Sequence, residues 1–181
     1  MGAKRHRRSD RVEVTAPCRA DSCDLLKALR GAIIGPMSET FPLLRAVAVD
    51  ATDARAVAEF YRRLLGYVYR AGDEPPPPGQ PDPKGEDWLV LMDRNGEARL
   101  AIQRVADLPP STWPSAQVPQ QLHLDLTVPD VHELAVQRDR VLSLGARQLL
   151  DRSNDPDEPL YVFADPAGHP FCIFVSPDHP T

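Results

Sequence analysis

Near its middle the chain reads Gln120-Gln121-Leu122-His123-Leu124-Asp125-Leu126-Thr127-Val128, with apolar and polar side chains in alternation. This period of two predicts a β-strand, His123–Val128, whose leucines and valine face a hydrophobic core. The opposite face carries His123 and Asp125, two residues apart, so both side chains point the same way. That face either meets solvent as ordinary surface or, if the sheet curls, lines a cavity and forms a site.

Outward from this strand, the second half of the chain continues in a regular order. Asp130 is placed to cap a helix, Val131–Leu144, which Gly145 ends. Three further strands are predicted at Arg147–Leu150, Leu160–Ala164 and Phe171–Val175. Within the last strand, Cys172 and Phe174 alternate with core residues and share the face of His123.

The first half shows the same order of elements. We predict a strand at Leu44–Asp50, a helix at Ala54–Leu65 capped by Asp53 and ended by Gly66, and strands at Tyr67–Tyr69, Trp88–Met92 and Ala98–Val105. Ala46 and Ala48 lie opposite the core face of the first strand, and Gln103 shares that side. The repeated strand–helix–strand–strand–strand order indicates an internal duplication, hence an α+β fold of two βαβββ modules.

Four regions follow from these elements. Residues 1–40 are predicted to be a disordered tail, 41–106 module 1, 107–120 a linker and 121–177 module 2. Within module 1, the segment 72–85 contains four consecutive prolines and cannot form a helix or a central strand. We expect an exposed loop there. Asp24–Ile34 in the tail could form a short helix.

Composition narrows the function. The 42% apolar content is that of a globular protein, and the net charge of −5 argues against nucleic acid as a partner. No apolar run approaches the ~18 residues of a membrane span, so no membrane partner is expected. Three cysteines, Cys18, Cys23 and Cys172, do not suggest a disulfide framework. We therefore expect a cytoplasmic protein.

The doubled pattern resembles a known group of proteins. The resemblance rests on Phe60-Tyr61-x-x-Leu64-Leu65-Gly66, Leu100–Val105, Trp113-Pro114, Pro119–Asp125, Leu144-Gly145-Ala146 and Asp165-Pro166-x-Gly168-x-Pro170-Phe171-Cys172. It is to the vicinal oxygen chelate superfamily, which includes glyoxalase I, extradiol dioxygenases and bleomycin-resistance proteins, and within it to bacterial glyoxalase-like domain proteins. It covers roughly residues 41–177. The fold it implies has curled mixed sheets around a central cavity, with the His123 face lining that cavity.

The resemblance also implies where a metal would bind. Metal enzymes of the superfamily take ligands from the first and last strands of each module, which match Ala46, Gln103, His123 and Cys172. Alanine offers no ligand atom, and glutamine is a weak one. One imidazole and one thiol fall short of the three strong protein ligands that zinc usually needs. We therefore expect no metal and no other cofactor.

Several roles stay open for the individual residues. His123 is either a core histidine satisfied by Asp125 or a backbone carbonyl, or a ligand-binding or acid–base group. Cys172 is either a small buried hydrophobe or a nucleophile paired with His123. Trp113 either packs at the cavity rim or stacks on a ligand. The ligand-binding set we predict is Gln103, Trp113, His123, Asp125, Cys172 and Phe174, with His123 as the candidate catalytic residue.

These residues support two functions. The first is a protein that binds a small organic molecule in the cavity between its modules, oriented by Gln103 and His123. The second is a metal-independent lyase, isomerase or hydrolase that uses His123 as general base. A structural or regulatory domain with a filled cavity is a third reading. A homodimer is compatible with each of them.

Overall fold

Each half of the protein repeats one unit of a strand, a helix and three strands. A computed structural model of the chain describes residues 41–179. Module 1 contains β1 (Val47–Ala51), α1 (Ala54–Leu65), β2 (Val68–Tyr69), β3 (Trp88–Met92) and β4 (Ala98–Arg104). Module 2 contains β5 (Leu124–Val128), α2 (Val131–Ser143), β6 (Arg147–Arg152), β7 (Leu160–Ala164) and β8 (Pro170–Val175). The predicted tail and the predicted helix Asp24–Ile34 lie outside the described residues.

Two four-stranded mixed sheets organise the modules. Their strand orders are β1-β4-β3-β2 and β5-β8-β7-β6, so the first strand of each module lies at a sheet edge beside the last. The β1–β4 and β5–β8 pairs are parallel, and the other pairs are antiparallel. The predicted α+β fold of two βαβββ modules is confirmed.

Both helices begin at the aspartates that the sequence indicated. The Ala56 amide donates to Asp53 Oδ1 at 2.9 Å, and the Glu133 amide donates to Asp130 Oδ1 at 2.8 Å. These bonds satisfy amides that have no partner within the helix. Gly66 ends α1 with φ of 68°, in the left-handed region that glycine adopts without strain.

One hydrophobic core serves both modules. It lies between the helices and the inward faces of the sheets, and its largest fully buried members include Tyr61, Phe163, Phe171, Leu89 and Ile102. Aromatic rings cross from one module to the other, because Phe60 and Tyr61 of α1 contact Phe171 of β8 at centroid distances of 5.8 and 6.3 Å. Their tilted arrangements are those that aromatic pairs favour. The two modules therefore stabilise each other.

The Asp-x-x-Gly turn before the last strand occurs in both modules with the same internal hydrogen bonds. Asp93 Oδ1 accepts from the amides of Asn95 and Glu97, and Asp165 Oδ1 accepts from those of Ala167 and His169. The two turns differ in the group that donates to the second carboxylate oxygen of the aspartate.

The second oxygen of each aspartate meets a different donor. Asp93 Oδ2 accepts from exposed Arg99 at 2.8 Å within its own module. Asp165 is buried, and its Oδ2 accepts from the Tyr61 hydroxyl of module 1 at 3.0 Å. Burial raises the pKa of Asp165, whereas hydrogen bonds, that of the Glu97 amide first, lower the pKa of Asp93. The module 2 turn thus links the two halves of the chain.

The proline-rich segment is anchored at two points. Its prolines are largely exposed, but Asp73 is only 1% exposed and accepts the Val90 amide at 3.0 Å. Arg55 of α1 reaches Asp82 at 2.7 Å and the Asp73 carbonyl at 2.7 Å. The segment is therefore an exposed loop, except for a buried aspartate that the sequence did not indicate.

Within residues 41–179, neither helix has the length and hydrophobicity that crossing a membrane would require.

Candidate functional site

Opposite the helices, each sheet has an open face with its own cavity. The module 1 cavity has a volume of about 280 Å³ and is lined by Arg45, Ala46, Ala48, Arg70, Trp88, Val90, Ala98 and Ala101. The module 2 cavity has a volume of about 200 Å³ and is lined by Trp113, Gln120, His123, Leu150, Arg152, Leu160, Val162, Pro170, Phe171 and Cys172. The open faces therefore form two separate concave surfaces.

His123 lies at the mouth of the module 2 cavity, one residue before β5. Continuing the β5–β8 register back from the Leu124–Phe171 pair would place His123 opposite Pro170. Proline has no N–H to donate to a ladder, so pairing starts one residue later than the sequence predicted. His123 keeps its predicted side of the chain, and its side chain is 44% exposed.

The imidazole of His123 is held between an amide and a carboxylate. Its Nδ1 lies 3.3 Å from Gln120 Nε2, and its Nε2 lies 3.3 Å from Asp125 Oδ1. Because an amide nitrogen only donates, Nδ1 accepts from Gln120 and Nε2 carries the hydrogen that faces Asp125. Asp125 therefore fixes the tautomer, and Nδ1 is the ring nitrogen with a lone pair on the cavity side.

Asp125 also accepts a hydrogen bond from Cys172. The Sγ–Oδ1 distance is 2.6 Å, across the Asp125–Cys172 pair of the β5–β8 ladder. Burial, and then the Asp125 carboxylate, raise the pKa of Cys172 to about 12. The nucleophilic form of cysteine is the thiolate, so this environment favours an inert thiol over a nucleophile.

The predicted ligand-binding residues do not all meet in one cavity. Trp113, His123 and Cys172 line the module 2 cavity, whereas Gln103, Asp125 and Phe174 are not among its lining residues. Asp125 nonetheless contacts two of them and borders a neighbouring cavity that also includes Ala46. The other two predicted residues, Gln103 and Phe174, lie outside both of these cavities.

Strand order explains why Gln103 lies apart from His123. Gln103 is on β4, which β1 separates from the edge of the first sheet. Neighbouring strands lie ~4.8 Å apart, so the width of β1 keeps Gln103 away from module 2. Gln103 is exposed, and the amide that reaches the imidazole belongs to Gln120 instead. Phe174 is half-buried on β8, one pleat beyond Cys172.

Strands β6 and β7 supply lining residues that the sequence analysis missed. Leu150 pairs with Val162, Arg152 pairs with Leu160, and Val162 pairs with Cys172. Directly paired residues in a sheet share a face, so these side chains surround the thiol. The sequence did contain a pattern that could have predicted them, because Leu160 and Val162 alternate with Tyr161 and Phe163 and so lie on the opposite face of β7. Arg152 is held at the rim by Asp155.

The four positions that match the superfamily's metal ligands do not fit a metal here. Ala46 has no ligand atom, and Gln103 is outside the module 2 cavity. A different set, His123, Asp125 and Cys172, brings its ligand atoms within 4.8 Å of one another. In that set the thiol and the imidazole both donate to the same carboxylate. We therefore derive no chemistry through a metal.

Solved structures with the same fold were found at low sequence identity. The fosfomycin resistance protein FosX from Listeria monocytogenes aligns with a TM-score of 0.54 at 12% identity, covering 76% of this chain and 95% of that one. A glyoxalase-related enzyme from Fulvimarina pelagi gives 0.50 at 19%, covering 77% and 92%. A glyoxalase/bleomycin resistance/dioxygenase family enzyme from Burkholderia phytofirmans gives 0.50 at 13%, covering 72% and 96%. At this identity the likeness establishes the fold alone.

Sequence comparison identifies the family directly. No curated protein sequence matches the chain. The family model described as "Glyoxalase-like domain" matches residues 46–174, which include every helix and strand described above except the last residue of β8. The suspected superfamily is thereby confirmed, and the chain belongs to the glyoxalase-like domain family.

Proposed function

We propose that the protein binds a small, partly apolar organic molecule in the module 2 cavity beside His123, without a catalytic metal. The observation that carries this proposal is the cavity itself, about 200 Å³, with an aliphatic and aromatic floor and polar groups gathered at one side. Apolar walls with a few convergent polar groups are typical of small-molecule sites. The volume favours a ligand smaller than most drugs.

The ligand's polar end would meet Gln120 and His123. These two side chains already bond to each other at 3.3 Å, so their orientation is set before a ligand arrives. Such preorganisation lowers the entropy lost on binding. Burial of ~100 Å² of ligand apolar surface on Leu150, Leu160 and Val162 would contribute about 2.5 kcal/mol before those losses.

A thermal-shift screen of small organic molecules tests the binding proposal. A ligand that raises the melting temperature of the wild type should lose most of that effect in His123→Leu and in Gln120→Leu. His132→Leu is the matched control, since His132 is exposed on α2 and is not among the residues that line the cavity. An equal shift in all three variants would rule out binding beside His123.

A second candidate function is a metal-independent lyase, isomerase or hydrolase. The observation that favours it is the 3.3 Å contact between His123 Nε2 and Asp125 Oδ1. A carboxylate in this place orients an imidazole for acid–base chemistry. A substrate that replaces Gln120 could then lose a proton to Nδ1. Turnover of a bound ligand that disappears in His123→Gln would support this function, whereas binding without turnover would support the first.

Oligomeric state and location stay predictions. A homodimer is compatible with the proposed function, and sedimentation velocity would test it. We also expect a cytoplasmic protein, since the cysteine pattern suggests no disulfide framework.

A further inference from the structure

The module 1 cavity has a different chemistry from the site beside His123. Its lining residues include two arginines, Arg45 and Arg70, and no carboxylate. The rest of the lining is apolar. The overall charge of the chain is −5, so this basic pocket contrasts with the protein as a whole.

Arg70 is held in place from two sides. Its backbone amide donates to the Val90 carbonyl at 2.9 Å, and its Nη2 lies 2.9 Å from Asp73 Oδ2. Asp73 is itself fixed, since it is buried and accepts the Val90 amide. A guanidinium has five N–H donors, and the contact with Asp73 uses Nη2 alone. Within residues 41–179 the other side-chain N–H groups of Arg70 make no hydrogen bond, and Arg70 lines the cavity.

The floor of the module 1 cavity is flat and apolar. Ala48 pairs with Ala101 across β1 and β4, and Ala101 pairs with Val90 across β4 and β3. Ala48 is exposed, whereas Val90 is 4% exposed and Ala101 is 3% exposed, so Ala48 supplies the accessible part of the floor. The half-buried indole of Trp88 completes the lining. Short side chains beside an indole leave a shallow space for a planar group.

We propose that the module 1 cavity is a second binding site, for a small organic monoanion with a flat apolar body, such as an aromatic carboxylate. Arg45 and Arg70 would pair with the carboxylate, in the geometry that guanidinium groups favour. The ring would lie over the exposed Ala48 and contact the half-buried Trp88. Asp73 offsets the charge of Arg70, which leaves a net positive charge of one from Arg45, so a monoanion matches the site.

The two tryptophans of the chain allow this site to be tested on its own. Trp88 lines the module 1 cavity, and Trp113 lines the module 2 cavity. In Trp113→Phe protein the indole fluorescence comes from Trp88 alone, and in Trp88→Phe protein it comes from Trp113 alone. A response of each variant therefore reports on one cavity.

Benzoate is the probe, with benzamide as the neutral molecule of the same shape. Benzoate should change Trp88 fluorescence in the Trp113→Phe protein, with an affinity that falls as salt rises. Arg45→Gln should weaken binding by about tenfold, since it removes a charged donor from an exposed side chain. The control Arg147→Gln removes an exposed arginine from β6 and should leave the affinity unchanged.

Three results would overturn the proposal. They are equal affinity for benzoate and benzamide, unchanged affinity in Arg45→Gln, and a benzoate response of Trp113 with none from Trp88. The first two would show that charge does not select the ligand. The third would place the anion in the module 2 cavity. That result is independent of the thermal-shift test with His123→Leu, so failure of this proposal can be told apart from failure of the binding function proposed for module 2.

Discussion

The two modules share a framework but differ in what they place on its open face. Each has the same strand–helix–strand–strand–strand order, the same helix cap and the same Asp-x-x-Gly turn. On module 1 the open face carries arginines above alanine and valine, whereas on module 2 it carries an imidazole, a carboxylate and a thiol. The two modules therefore share the pattern of apolar residues on their core faces but carry different functional groups on their open faces.

The two helices differ in how many of their residues are buried in the core. Six residues of α1 are buried, against two of α2, Leu134 and Val141. Since Phe60 and Tyr61 of α1 also reach Phe171, module 1 contributes part of the core of module 2. The difference implies that the modules depend on each other unequally, and the following experiments test this comparison.

The largest effect is expected from Phe171→Ala. Phe171 is fully buried beneath Phe60 and Tyr61, and removing its ring should lower the free energy of unfolding by about 3–5 kcal/mol. Urea denaturation should show one transition, shifted as a whole. Val136→Ala, at an exposed position of α2, is the control and should change stability little. Two resolved transitions would contradict the shared core.

A smaller loss is expected from Tyr61→Phe. It leaves the buried Asp165 Oδ2 without its donor, which should cost about 1–3 kcal/mol in the free energy of unfolding. The matched change in module 1 is Arg99→Gln, which removes the donor of the equivalent Asp93. Because Arg99 is exposed, we expect at most about 1 kcal/mol there. Similar losses in both variants would mean that the two turns are equivalent.

The third experiment measures the reactivity of Cys172 rather than stability. In a Cys18→Ser, Cys23→Ser background Cys172 is the sole thiol, and its pKa of about 12 keeps it protonated at pH 8. Alkylation should therefore be slow at pH 8 and should accelerate as the pH rises toward 12. Asp125→Asn removes one cause of the raised pKa, so the thiolate fraction and the rate at pH 8 should increase. A fast reaction of the parent protein at pH 8 would contradict this environment.

The smallest effect is expected from metal removal. We predict that a chelator leaves the melting temperature unchanged, because only His123 and Cys172 remain of the four superfamily ligand positions. Elemental analysis should find well under one equivalent of any divalent transition metal. Stoichiometric zinc that is lost in His123→Ala would contradict this prediction and identify His123 as a metal ligand.

Sequence patterns were enough to predict the elements of this fold. Strand β3, strand β7 and helix α1 have the predicted bounds. Strand β1 begins three residues later and ends one residue later than predicted, and the other described elements differ by one or two residues at an end. Local sequence patterns suffice to locate helices and strands, because each pattern involves residues that are close in sequence. The alternation of Leu124 and Leu126 and the helix cap at Asp53 are examples. The two-module architecture followed from the repeat of those signals.

The candidate site could be predicted only in part. Alternation correctly placed His123, Asp125 and Cys172 on one face, because side-chain direction in a strand is a local property. It could not show that β1 lies between Gln103 and module 2, which depends on strand order. The sequence also did not show where the long side chains of Arg45 and Arg70 would lie. The positions of Arg45 and Arg70 beside one cavity depend on contacts between distant segments.

The hydrogen bond between Tyr61 and Asp165 bears on how the duplicated gene could evolve further. A half-length chain with module 2 alone would carry an aspartate without its tyrosine donor, and it would also lose the rings that pack on Phe171. Separating the two halves would therefore leave a polar group and an apolar surface without partners at the same time, which favours keeping both modules in one chain.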